Sequence, residues 1–167
     1  AGGAYLADAG SGGQPLVSNG LDATNLSPLG AQGEQCLTLR NEGAAPGTDW
    51  GNWGKHAYLT RANSLDLELD ETTSIRIEAT IRPEAGTGER SMWIAGKEAV
   101  SINEATAGWG LMLIGGVAAM VLCDGSHYVA AKGTTGMDGG RHDVAGEIDR
   151  VTGYARVYVD GVLEGQP

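Results

Sequence analysis

Hydrophobic and polar residues alternate strictly from Ser74 to Arg82, with Ile75, Ile77, Ala79 and Ile81 on one face and Arg76, Glu78, Thr80 and Arg82 on the other. A period of two sustained over this length predicts a half-buried β-strand. Pro83 ends it, because proline has no N–H to give to the ladder. Apolar runs follow at short spacing over Met92–Ala95, Trp109–Ile114, Val117–Cys123, His127–Lys132, Arg141–Ile148 and Tyr154–Val159, with glycine turns between them. In the last run Ala155, Val157 and Val159 share one face and Tyr154, Arg156 and Tyr158 the other. Asp160-Gly161 is a type I′ turn sequence, and Val162-Leu163 begins the return strand. No stretch has a 3.6 period. The pattern predicts an all-β chain, an antiparallel β-sandwich of about eight to eleven strands.

Residues 105–123 carry no charge and approach the ~20 residues a membrane-spanning helix needs. Gly108, Gly110, Gly115 and Gly116 interrupt the stretch, and Gly115-Gly116 separates two apolar runs. That is a hairpin signal, so two buried strands are expected and no membrane span. Residues 1–56 are rich in glycine, serine, asparagine and proline, with short apolar clusters at Tyr5-Leu6, Leu16-Val17 and Cys36–Arg40. Recurring clusters predict short strands joined by long loops that pack on the sandwich body at 57–167, within a single domain. Asp49-Trp50-Gly-Asn-Trp53-Gly54 is a compact aromatic turn.

Composition narrows the classes. The 167 residues suit one domain, and 41% hydrophobic with 19% charged residues is a globular balance. The 28 glycines have no G-X-Y period, which excludes collagen, and they count against a helical bundle. A formal charge of −10 repels phosphate backbones and anionic membranes, so nucleic acid is excluded as a partner. Cys36 and Cys123 allow one disulfide at most; two reduced thiols are expected of a protein assembled in a bacterial cytoplasm. The chain opens on Ala1, which leaves removal of a start methionine or a longer product as alternatives.

Three segments in order carry a family resemblance. Tyr58-Leu-Thr60 and Ser64-Leu-Asp-Leu67, followed by Ser74-Ile-Arg-Ile-Glu-Ala-Thr-Ile-Arg-Pro83, resemble the opening of laminin-G-like, concanavalin A-like jelly rolls. Ala95-Gly-Lys97 with Gly108-Trp-Gly-Leu-Met-Leu113 is similar to their central hairpin. His142-Asp-Val-Ala-Gly146, then Thr152-Gly-Tyr-Ala-Arg-Val-Tyr-Val-Asp-Gly161, resembles their later strands. Arg141 stands where the family usually has tryptophan, and Asp143 where it has a second histidine. The family's last strand is expected to be missing before Pro167, to come from residues 1–56 or another chain, or to lie beyond the sequence. Ala9-Gly-Ser-Gly-Gly13, Tyr58-Leu-Thr60, Leu65-Asp66 and Ser74-Ile-Arg-Ile77 also resemble laminin-G-like domains in minor tail proteins of actinobacterial phages.

The resemblance implies a non-catalytic structural or adhesion domain in a virion, as a minor tail protein or capsid decoration. It implies other virion subunits as partners in an oligomeric assembly, and host-surface carbohydrate as a ligand. The alternative is a carbohydrate-binding module of a bacterial secreted or cell-surface enzyme. Sugar faces stack on aromatic rings, and Trp50 and Trp53, with Tyr128 and Tyr158 behind them, are the candidates for carbohydrate or partner contact. Many laminin-G-like domains hold one calcium ion, for which Asp66, Glu68 and Asp70 on one face of an extended Leu65–Asp70, together with Asp124, are candidates. The same alternating acids also suit the wet face of an edge strand.

Catalytic readings are weaker. Some jelly rolls of this superfamily are retaining glucanases, and Gly146-Glu-Ile-Asp149 invites comparison, but the second glutamate their site requires is absent. The resemblance instead makes Asp149 the start of a turn. Ser126-His127 and His142-Asp143 are adjacent pairs whose side chains point to opposite faces of a strand, which precludes a relay. His56, His127 and His142 have no metal-ligand spacing. No catalytic residue is assigned.

Overall fold

The computed structural model describes strand backbones at residues 4–6, 16–19, 26–28, 35–37 and 58–60, and residues 72–83, 92–97, 107–137 and 139–167 in full. Among the described residues every regular element is a strand and none is a helix. The chain divides into two compact units, Ala1–Leu67 and Glu68–Pro167.

The first unit has five short strands. β1 (Ala4–Leu6), β2 (Leu16–Asn19) and β5 (Tyr58–Thr60) form an antiparallel sheet in the order β1-β2-β5, and β3 (Leu26–Pro28) pairs with β4 (Gln35–Leu37). The apolar clusters at Tyr5-Leu6 and Leu16-Val17 fall in these strands, as do the first two residues of the Cys36–Arg40 cluster, whose remainder lies outside the described residues. The aromatic turn at 49–54 lies outside the described residues.

The second unit holds two four-stranded antiparallel sheets. β7 (Met92–Lys97), β8 (Gly108–Ile114), β9 (Val117–Cys123) and β10 (Tyr128–Lys132) lie in the order β10-β9-β8-β7. β6 (Ile75–Ile81), β11 (His142–Asp149), β12 (Tyr154–Val159) and β13 (Val162–Gly165) lie in the order β13-β12-β11-β6. Side-chain alternation gives the second sheet one apolar face. Val144 and Ile148 of β11 and Ala155, Val157 and Val159 of β12 are all buried there.

The two apolar faces meet as a sandwich. Gly146 sits at the centre of β11, and a Cβ built on it would lie 2.5 Å from Met120 Sδ and 3.1 Å from Leu111 Cδ1. Leu111 and Met120 are register partners on β8 and β9, so the absent side chain at 146 is what lets the sheets approach there. The first sheet is buried on its other face as well. Met112, Ala119, Val121 and Cys123 form a second cluster, with Trp93, Ile114 and Ala130 against it. Burial on both faces explains why the sequence of β8 and β9 is continuously apolar and does not alternate. Cys123 is a free, buried thiol within that cluster.

The turns follow from residue type. Gly115 and Gly116 have φ of 62° and 78°, the left-handed values a two-residue hairpin needs, and Ile114 pairs with Val117 across them. The uncharged stretch at 105–123 therefore contains a hairpin, and no helix among the described residues is long and apolar enough to cross a membrane. At the second hairpin Asp160 and Gly161 have φ of 50° and 79°. Asp160 tolerates this because its carboxylate has local work: Oδ1 accepts the Asp143 N–H at 2.9 Å, and Oδ2 lies 2.9 Å from His142 Nδ1.

Candidate functional site

The outward face of the β13-β12-β11-β6 sheet collects the polar half of every alternating strand. Its cross-strand register decides which of those residues meet. Glu147 of β11 stands directly opposite Arg76 of β6 on one side and Arg156 of β12 on the other. Both pairs close: Arg76 Nη1 donates to Glu147 Oε2 at 3.1 Å, and Arg156 Nη1 to Glu147 Oε1 at 2.6 Å. Arg76 Nε also donates to Glu78 at 2.7 Å, and Arg156 Nη1 to Asp149 Oδ2 at 3.1 Å. Neighbouring positions of opposite charge on a pleated surface support one another in this way.

Two tyrosines are tied into the ladder. The Arg76 guanidinium lies 4.7 Å from the Tyr158 ring centroid, and that of Arg156 lies 5.5 Å from the ring of Tyr154. Both distances are within cation–π range. Next to Tyr158 the row opposite carries Ala145, a methyl group between the larger side chains of Asp143 and Glu147. A depression of about 500 Å³ opens at this place. It is lined by Arg76, Glu78, Thr80, Asp143, Ala145 and Tyr158, with the Asp160-Gly161 turn at one end contributing Gly161. The Thr80 hydroxyl donates to Asp143 Oδ1 at 2.5 Å and fixes that carboxylate at the rim.

One carboxylate of this face, Asp149, is held toward its ionised form. Asp149 is lowered to about 2, first by the Thr152 hydroxyl and then by the Thr152 N–H, with help from Arg156 and the Val151 N–H. Its Oδ1 accepts the Val151 and Thr152 N–H groups, so Asp149, the last residue of β11, caps the β11–β12 turn. A glycosidase acid needs its pKa raised. Asp149 moves the other way, and Glu147 is held between two arginines.

The residues singled out in the sequence fall in several places. Tyr158 is on the outward face and borders the depression. Tyr128 is exposed to 56% at the start of β10, where it pairs with Cys123 on the outer side of the other sheet. The fold thus sets Tyr128 and Tyr158 on different surfaces. Asp124 accepts the Ser126 and His127 N–H groups on Oδ1, both at 2.7 Å, which lowers its pKa, the His127 N–H having the larger effect. It is the turn residue between β9 and β10. Trp50, Trp53, Asp66, Glu68 and Asp70 lie outside the described residues. Among the described residues no three His, Cys, Asp or Glu side chains are grouped as a metal site would require. Arg76, Glu78, Thr80, Ala145 and Arg156 have no role assigned from the sequence, which places them on strands alone, while Glu147 and Asp143 enter there only in the catalytic readings that are set aside. Only the register brings them together.

The fold and this face define a class: all-β among the described residues, with a second unit that is an antiparallel sandwich bearing an ordered polar–aromatic outer surface. No family model matches the chain, and neither the curated proteins nor the solved structures contain a match to it.

Proposed function

We propose that this chain is a laminin-G-like domain with a concanavalin A-like jelly roll, serving as a non-catalytic structural and adhesion component of a phage virion. In this reading it is a minor tail protein or capsid decoration that contacts neighbouring subunits and binds host-surface glycans through the outward face of β6, β11, β12 and β13. The observation that supports it most is the pairing of Tyr158 and Tyr154 with Arg76 and Arg156 on an exposed sheet face. Aromatic rings held by arginines are rigid and amphipathic, which suits them to contact surfaces.

The engagement of Glu147 and Asp149 by arginine and by turn N–H groups supports a binding role over a hydrolytic one. A carbohydrate-binding module of a secreted or cell-surface enzyme is the second reading, favoured by the depression beside Tyr158. Antibody raised against the chain should decorate purified actinobacterial phage particles in immunogold microscopy. The protein should also sediment with bacterial cell envelopes without releasing reducing ends from them. Labelling absent from the particles, with an encoding gene continuous with an enzyme domain, would replace the virion reading with the module.

A further inference from the structure

We propose that β10 is a pairing edge, at which two copies of the chain join by antiparallel strand addition about a two-fold axis through Val129. This rests on the subunit-contact part of the reading above and names the partner as a second copy. The register of β10 decides which of its backbone groups are available. Its ladder with β9 is bracketed by two hydrogen bonds, from the Asp124 N–H to the His127 carbonyl at 3.1 Å and from the Gly133 N–H to the Ala118 carbonyl at 2.8 Å. Bonded and non-bonded pairs alternate along an antiparallel ladder, so Val129 and Ala131 also bond to β9. Tyr128, Ala130 and Lys132 therefore aim their N–H and C=O groups away from β9, along the outer edge of the sheet. Gly165 packs against the Lys132 backbone and covers the edge there. Gln166 then turns to the other sheet, where its amide oxygen accepts from Arg156 Nε at 3.1 Å. At Tyr128 and Ala130 no described residue takes up the outward groups.

The other sheet edges of this unit carry features that discourage pairing. β13 has a break in register opposite Val157-Tyr158 and bears Glu164. β7 has a break between Trp93 and Ala95, and β6 alternates the charged residues Arg76 and Glu78 with its apolar ones. β10 pairs with β9 without a break, and Tyr128–Ala131 holds no proline, bulge or charge. An edge left in that state is a template for another strand.

A second copy fits this edge. A two-fold axis through Val129 sets Tyr128 of each copy opposite Ala130 of the other, and each such pair exchanges both of its outward hydrogen bonds. The seam thus uses the uncovered residues and leaves Lys132 to Gly165. Val129 lies on the same side of β10 as the buried Ala131, yet it is 46% exposed. On the axis it meets its own copy in a non-hydrogen-bonded pair, the arrangement in which side chains come closest. Charge favours the same partner. Residues 125–133 contain no Asp or Glu and include Lys132, so two chains of net charge −10 meet here without opposing carboxylates along the seam. The join makes one sheet that runs β7-β8-β9-β10 in one copy and returns through the same strands of its partner.

Sedimentation velocity on the full 167-residue chain, over a concentration series up to about 1 mM, tests this. A reversible monomer–dimer equilibrium is expected, with a dissociation constant on the order of 100 μM for so short a seam. Ala130→Pro removes an outward N–H that takes no part in the β9 ladder, and should weaken association by about tenfold or more. Val129→Lys sets like charges together on the axis and should weaken it comparably. Tyr128→Val, which keeps the backbone groups and removes the ring, should associate like wild type. Thermal unfolding checks that each variant is folded, and Val129→Lys decides if Ala130→Pro is not. In amide exchange followed by NMR, the Tyr128 and Ala130 N–H groups should slow as concentration rises, whereas those of Val129 and Ala131 are protected throughout. The inference falls if the chain stays monomeric, or if the folded variants at 129 and 130 associate like wild type. It falls equally if the Tyr128 and Ala130 amides are protected in the dilute monomer, where the same chain then holds the edge, or stay unprotected in the dimer. Antibody labelling of phage particles by a chain that never pairs removes this contact and leaves the virion reading standing. A β10 pair in a protein absent from particles removes the virion reading and leaves the pair.

Discussion

Replacing Gly165 by alanine probes how the C-terminal sandwich closes along its β10 and β13 edges. Gly165 is buried, at the end of β13, opposite Val157. A methyl group built there falls 2.3 Å from the Lys132 carbonyl oxygen, 2.7 Å from its carbon and 2.9 Å from its nitrogen. All three are backbone atoms of β10, so no side-chain rotation relieves the overlap. The backbones must separate by about 1 Å, and overpacking of this sort costs about 1–3 kcal/mol. Peeling β13 away is the alternative, but it sacrifices the grip of Glu164 on the segment after β10. That carboxylate accepts the Thr134 N–H at 2.8 Å, the Thr135 N–H at 2.9 Å and the Thr135 hydroxyl. Each hydrogen bond to a charged group contributes about 1.5–3 kcal/mol, so release is no cheaper than strain. We expect a loss of about 2–3 kcal/mol, which at about 1–3 kcal/mol per molar urea lowers the unfolding midpoint by roughly 0.7–3 M. The assay is urea unfolding followed by tryptophan fluorescence. Gly136→Ala is the control, since nothing lies within 4 Å of the methyl it adds and its effect should stay within about 0.5 kcal/mol. A Gly165→Ala midpoint indistinguishable from the control would show that β10 and β13 do not meet as described.

Glu164→Gln removes charge from the same latch and should cost about 1 kcal/mol in urea unfolding, with Glu164→Ala costing more. Burial raises the pKa of Glu164, but the Thr135 hydroxyl and the Thr135 and Thr134 N–H groups outweigh it and leave the group below its ordinary value. Asp149 is lowered from 3.8 to about 2, so its stabilisation is full above the unfolded value and is lost as pH falls through about 2. Melting temperatures measured from pH 5 to pH 2 should therefore fall more steeply for wild type than for Asp149→Asn, and parallel curves would contradict the capping role. Gly110→Ala would put a methyl 2.0 Å from Trp93 Cζ3, so the indole must leave its seat over Gly96 and Gly110. A cost of about 1–3 kcal/mol and a red-shifted tryptophan emission are expected. Asp160→Ala loses both the hydrogen bond from the Asp143 N–H and the tolerance of a left-handed φ, and should lower the melting temperature in thermal unfolding.

Much of the second unit is legible in the chain because its signals are local. Strict alternation at 74–82 marks β6, and the Gly115-Gly116 and Asp160-Gly161 pairs mark hairpins, since a two-residue connection with two positive φ values has few alternatives. The pairing of β8 with β9 follows from the turn between them. Other features were not legible. A continuous apolar run does not say which residues face which neighbour, so the division of β8 and β9 into a face against β11 and a separate cluster around Val121 had no sequence signature. Glycine content pointed to turns, yet Gly110, Gly146 and Gly165 lie within strands and serve close packing.

The candidate site was hidden for a related reason. Alternation put Arg76, Glu78 and Thr80 on one side of β6, and Tyr154, Arg156 and Tyr158 on one side of β12. It could not say that both strands flank β11, because β6 and β11 are separated by sixty residues of intervening chain, 82–141. A slip of β11 by one residue would turn Glu147 inward and bring Gly146 to the surface. The observed register is held against that slip by two independent demands. Gly146 must face Met120 for the sheets to close, and Glu147 must stand between Arg76 and Arg156. The glycine that permits core packing and the glutamate that organises the outer face are neighbours, and each fixes the other's direction. Ala145 is set outward by the same register, so the depression beside Tyr158 depends on a glycine that faces Met120 and Leu111 on the opposite side of the sheet.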